Sequence, residues 1–298
     1  MKAEIRILIR DIQAAARLGH ADSLYAALDG LLDLPQFSGN HPIPETTLQQ
    51  VILPIGQVLA RPRINAATLR PLTTHSYAVF RATAAAALTF QYLQGINGTT
   101  LKDLTALGQD PRDDVRDAIR LALDHHKEDG SEMLDALYET WLKSGSPRLQ
   151  ALALGILPQL PDTATLEKIR HLKADTLKPN PEFKKTLANT LSQLAGGDYP
   201  EEVIALLENW AAQPEPDIWL ISRCLAKPWA ASYPQQSLAL LETLAADTGP
   251  NKQVRKALLN LYQYGAQTEV LAAVQAWQHS DNPRLSAAGR DEKLHTKL

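Results

Sequence analysis

A proline-marked period constrains this chain more than any other feature. Six turns containing Pro111, Pro147, Pro181, Pro216, Pro250 and Pro283 each precede a segment of helical pattern. Each is followed, two or four residues on, by an apolar anchor: Val115, Leu149, Phe183, Ile218, Val254 and Leu285. Successive anchors lie 34, 34, 35, 36 and 31 residues apart, and Phe80 extends the series 35 residues upstream. A period in this range marks an array of two-helix repeats. An array also accommodates 298 residues without the split into about two domains of ~150 residues that a chain of this length otherwise suggests.

The segments between anchors fit this reading. Before a turn, Met133, Leu134, Leu137, Tyr138 and Trp141 share one helical face. After it, Val115, Ala118, Ile119 and Ala122 share another. Proline costs nothing in the first turn of a helix, where its missing N–H would have no partner. Asp198 before Pro200-Glu201 reads as a capped helix start, as does Asp281-Asn282-Pro283. Trp141, Trp210 and Trp277 each stand eight residues before an anchor, the phase expected to fill the gap between paired helices. Valine and isoleucine do not alternate with polar residues over any length, so no strand competes.

The expected fold is therefore all-α, an α-solenoid. About six hairpins run over 96–298, ending in a polar cap from Arg290 to Lys297. An irregular helical segment, 1–95, continues into the array. It is expected to hold a helical pair at 2–19 and 21–34, a loop from Pro35 to Pro44, helices near 45–60 and 76–94, and an ill-defined stretch over 61–74.

The turn Gln109-Asp110-Pro111-Arg112-Asp113-Asp114-Val115-Arg116 resembles the inter-helix turn of a HEAT repeat, with Asp110 five residues before the Val115-Arg116 pair. Leu149-Gln150, Phe183-Lys184 and Val254-Arg255 hold the same phase. The resemblance covers about two thirds of the chain, from residue 96 onward. It implies a right-handed superhelix whose second helices line a concave surface.

Charge and composition narrow the function. Thirty Lys+Arg against 33 Asp+Glu give a net charge of −3, which argues against a broad non-specific nucleic-acid surface. No apolar run approaches ~18 residues, and Arg6, Arg10 and Asp11 interrupt any secretory leader, so a cytoplasmic protein is expected. The single cysteine, Cys224, excludes an internal disulfide and a cysteine-based zinc site. No phosphate-binding glycine loop, HExxH or GxSxG occurs, so no catalytic residues and no cofactor are assigned. His125 with Asp129 could offer two metal ligands, but a solvated helix end explains them better, and no metal is assigned. Asp110, Asp113, Asp114 and Asp117 read as helix-start charge rather than a calcium site.

The position after each anchor holds Arg81, Arg116, Gln150, Lys184, Trp219, Arg255 and Ser286. Arg81, Arg116, Lys184, Trp219 and Arg255 form the candidate binding row, with Trp219 as an aromatic anchor. The competing reading pairs each cation with a nearby acid. The leading expectation is a non-catalytic scaffold for a protein or peptide partner. The alternative comes from Asp217-Ile218-Trp219 with Trp229 and Tyr233, which resembles the aromatic and acidic cleft of the HEAT-like DNA alkylation repair glycosylases. That resemblance implies a nucleic-acid partner.

Overall fold

The computed structural model describes residues 3–95, 100–125, 131–160, 162–172 and 181–298. Every regular element among them is helical, and none of the helices is long and apolar enough to cross a membrane. The chain forms two compact units, Met1–Pro161 and Asp162–Leu298.

In the first unit the helices are α1 (Ala3–Leu18), α2 (Ala21–Asp29), α3, α4 (Ala66–Thr73), α5 (Ala78–Leu93), α6 (Thr100–Gly108), α7 (Asp113–Asp124), α8 (Ser131–Leu142) and α9 (Pro147–Ile156). Helix α3 is continuous from Glu45–Thr47 through a π-helical turn, Leu48–Ile52, into Leu53–Leu59. Helix α5 is the centre of this unit. Its alanine-rich sequence favours helix, and every residue except Arg81 is buried. Small side chains let neighbouring backbones come close. A Cβ added at Gly56 of α3 would stand 2.6 Å from the Ala86 Cβ. The polar groups this helix buries are largely engaged. Thr83 and Thr89 donate to carbonyls one turn back, and Gln91 Nε2 donates to the Leu59 and Ile64 carbonyls. The expected junction near residue 95 lies inside this unit, where α5 packs along α7.

Two segments differ from expectation. The stretch 61–74 contains α4, capped by Asn65 accepting from the Thr68 N–H at 2.9 Å. Pro71 inside α4 hides it from a reading that treats proline as a breaker; in so short a helix a single backbone bond is lost. Pro35–Asn40, expected as loop, forms a 3-10 turn that buries Phe37.

The second unit contains α10 (Asp162–Arg170), α11 (Pro181–Gly196), α12 (Pro200–Ala211), α13 (Ile218–Leu225), α14 (Pro234–Thr248), α15 (Lys252–Gln263), α16 (Gln267–Gln278), α17 (Pro283–Gly289) and α18 (Glu292–His295). Helices α11, α13 and α15 pack in succession, and α12, α14 and α16 form a second succession. Side-chain caps fix several starts. Asp217, Asn251, Asn282 and Asp291 each accept from backbone N–H groups of the helix they precede. The expected Asp198 cap is not made: Tyr199 occupies the cap position of α12 and supplies no side-chain bond.

Trp141, Trp210 and Trp277 are buried, with 0%, 8% and 1% exposed. Their reach exceeds a single helix pair. Trp141 Nε1 donates to Thr105 Oγ1 at 3.1 Å and Trp277 Nε1 to Glu242 Oε2 at 3.2 Å, each onto the first helix of the preceding pair, α6 and α14.

Candidate functional site

The four basic residues of the candidate row are held by acids of the chain itself. Arg81 on α5 grips Asp110 with two bonds, at 2.7 and 3.3 Å. Lys184 on α11 pairs with Asp217 at 2.5 Å, and Arg255 on α15 pairs with Asp291. Each acid also accepts from a backbone N–H at its own turn: Asp110 from Arg112, Asp217 from Leu220 and Asp291 from Lys293. Arg81 and Lys184 thus each fasten the acid at the start of the next second helix, and Arg255 fastens the acid that caps α18. Arg116 turns back to Asp113 and to the Asp110 carbonyl. These side chains are only 13–21% exposed. The geometry assigns the charges of Arg81, Arg116, Lys184 and Arg255 to internal pairing.

The acidic cluster belongs to the same wiring. Asp114 is buried and accepts from Arg112 and from the Ile43 N–H at 2.9 Å. Arg112 also donates to the Asn40 and His41 carbonyls, so this network ties 40–43 to the start of α7. Burial alone would push the Asp114 carboxyl up. The bonds from Arg112 and Ile43 outweigh it and hold the group below the usual carboxylate range.

Trp219 is different. It sits on α13 at the phase of the basic residues and is half-buried. Its indole makes no hydrogen bond to the described residues. One turn on, the Arg223 guanidinium lies over its ring, 5.3 Å from the centroid. Arg223 is also half-buried, yet it has no hydrogen bond or ion pair among the described residues, and its Nε is enclosed without a partner. Arg81, Arg112, Arg116, Arg120, Lys184 and Arg255, also half-buried, each pair with a carboxylate. Arg120, at the equivalent place on α7, is braced by Glu45, Asp117 and Asp124 at 3.3–3.4 Å. Around Arg223, Asp217 is taken by Lys184, and Lys227 one turn further on meets only the neutral Asn189, at 3.4 Å. Ser222 Oγ and Trp229 Nε1 on the same segment are buried and unpartnered as well.

Arg223 stands four residues after the row position of its helix and so falls outside the row. Arg81 and Lys184 meet an acid of the next turn, Asp110 and Asp217, and Arg255 meets Asp291 beyond the next second helix. In the turn after Trp219 the cap is the neutral Asn251, and Asp247 there is exposed.

Other candidates carry less. Cys224 is fully buried, and burial pushes its thiol up to about 12, which leaves it protonated and inert near neutrality. His125 is exposed, and Asp129 lies outside the described residues. Among the described residues no group of three His, Cys, Asp or Glu is placed to hold a metal. A cleft of about 480 Å³ between α3 and α7 is lined by Glu45, Gln49, Arg120, Asp124 and His125 among others, and the charge of Arg120 there is matched by its three carboxylates.

No family model matches the sequence, and no curated protein matches it. Among solved structures, a crystal structure of an engineered protein aligns with 100% of this chain and 98% of its own, at 14% identity and a TM-score of 0.28. A likeness at that level carries no argument about fold or function.

Proposed function

We propose that this chain is a HEAT-like α-solenoid, wound as a right-handed superhelix, and acts as a non-catalytic scaffold that holds a protein or peptide on the concave face of its second helices. The stacking of second helix on second helix within each unit supports the architecture. The presentation of Trp219 on that layer carries the functional reading. A half-buried, unbonded indole beside an unpaired guanidinium has the composition of an interface hot spot. The alternative, a nucleic-acid partner of the alkylation repair type, also draws on Trp219. It needs several free cations along the face, and Arg81, Arg116, Lys184 and Arg255 are already engaged by the chain.

Affinity purification from the native host, with wild type and Trp219→Ala compared by mass spectrometry, tests the reading. Trp219→Ala should weaken capture of a specific polypeptide at least about tenfold without lowering the melting temperature. Lys184→Ala should lower the melting temperature, because it frees the acid that caps α13. Capture that is indifferent to Trp219, or recovery of nucleic acid in place of protein, would overturn the proposal.

A further inference from the structure

We infer that Trp219 and Arg223 together form a carboxylate receptor, and that the partner docks there through an Asp or Glu side chain or a C-terminal carboxylate. This rests on the scaffold reading above and gives it a chemistry.

The argument begins with a cost. A guanidinium partly withdrawn from water, with an enclosed donor and no acceptor, is unfavourable unless something compensates. Stacking on Trp219 fixes the orientation of the Arg223 group but satisfies none of its N–H donors. The enclosed Nε is out of reach of an outside group, but the terminal nitrogens are not enclosed and are the donors that an acceptor from outside would meet. Its class follows from the shape of the donor and from the chain's own usage. The planar fork of arginine matches a carboxylate with two parallel bonds; Arg81 takes Asp110 through Nε and Nη2, and Arg223 would use its two terminal nitrogens instead. Lys184 is matched by Asp217 of the next turn, and Arg255 by Asp291, the cap of α18. At the Trp219 step Asn251 stands in the turn and spends its side-chain oxygen on the Gln253 N–H. Among the described residues no carboxylate pairs with Arg223, which has only the Trp219 ring beside it.

Local charge points the same way. Arg223 and Lys227 lie one turn apart, and the nearby Asp217 is neutralised by Lys184. The surroundings therefore favour one or two negative charges. A phosphate backbone is less well matched, since it would want a longer run of free cations than this face leaves unpaired.

The test uses the full chain and two matched sets of short immobilised peptides, one carrying Asp or Glu and the other Asn or Gln at the same positions. Retention should be confined to the carboxylate set. Arg223→Met should reduce it at least about tenfold, with Arg223→Lys between the two because it keeps the charge and loses the fork. Arg223→Met should also melt at the same temperature as wild type or higher, since it removes an uncompensated cation. A residue kept for structure would move the melting temperature the other way. Equal, Trp219-dependent retention of both sets would overturn the carboxylate inference and leave the scaffold reading standing. Retention of neither set would count against both. A single-stranded oligonucleotide displacing the acidic peptides at lower concentration than free acidic peptide would overturn the inference in favour of phosphate.

Discussion

Trp277→Ala should strip amide protection from α16 to α18 while leaving α5 protected as in wild type. Trp277 is 1% exposed and its Nε1 holds Glu242 on α14. The backbone beside it is equally tight. A Cβ at Gly289 would meet the Trp277 Cβ at 2.9 Å and the Gln278 nitrogen at 2.6 Å, so α17 lies directly against α16 at this tryptophan. Truncation leaves a large cavity at that crossing and an unpaired Glu242 oxygen. The expected cost is about 3–5 kcal/mol. Repeats that couple through neighbouring interfaces should confine the loss to the C-terminal end. Hydrogen exchange followed residue by residue reads this directly, and an even loss of protection along the chain would contradict nearest-neighbour stacking.

Asp114→Ala should destabilise the first unit by about 2–4 kcal/mol, because breaking a largely buried pair leaves its partners desolvated and unmatched. The stranded partners are the Ile43 N–H and the Arg112 guanidinium, the latter 25% exposed, which lowers the expected figure from that of a fully buried pair. Denaturant titration with exchange protection of α5 and α7 as the readout measures it. The same carboxylate sets a pH dependence. Its folded-state value lies below its unfolded one, so its stabilising contribution is complete above the ordinary carboxylate range, near pH 4. That contribution is lost as the pH falls from there through the depressed folded value. Wild type and Asp114→Ala should therefore converge in stability on acidification. A gap that persists unchanged into strong acid would contradict the ion-pair account.

What the sequence made legible was local. Starts near 112, 147, 181, 216, 251 and 283 follow from prolines and Asx caps, and the observed second helices begin at Asp113, Pro147, Pro181, Ile218, Lys252 and Pro283. Both signals act within a residue or two of the helix they begin, so no tertiary knowledge is needed. The three tryptophans were readable for a related reason: one phase of a repeat meets one environment. The charge row was harder. Its residue positions were visible, but the roles of Arg81, Lys184 and Arg255 depend on acids 29–36 residues away, reached only once the helices stack. Read in isolation, four cations in register resemble a binding stripe. Read with their acids, Arg81, Lys184 and Arg255 fasten later helix starts and Arg116 braces its own turn. Arg223 escaped for the opposite reason, because what distinguishes it is a partner the chain does not contain. The π-helical turn in α3 and the helix around Pro71 had no sequence signal of their own; packing against α5 overrides local preference there.

Photo-crosslinking from residue 219 in the native host tests the central claim most directly. A photoreactive side chain at 219 should capture one polypeptide reproducibly. The same group at 271, where Leu271 is 47% exposed on α16 of the other helix layer, should not. Capture from 219 that is lost with Arg223→Met is the result this account predicts. Capture that is equal from both positions, or absent from 219, would contradict it.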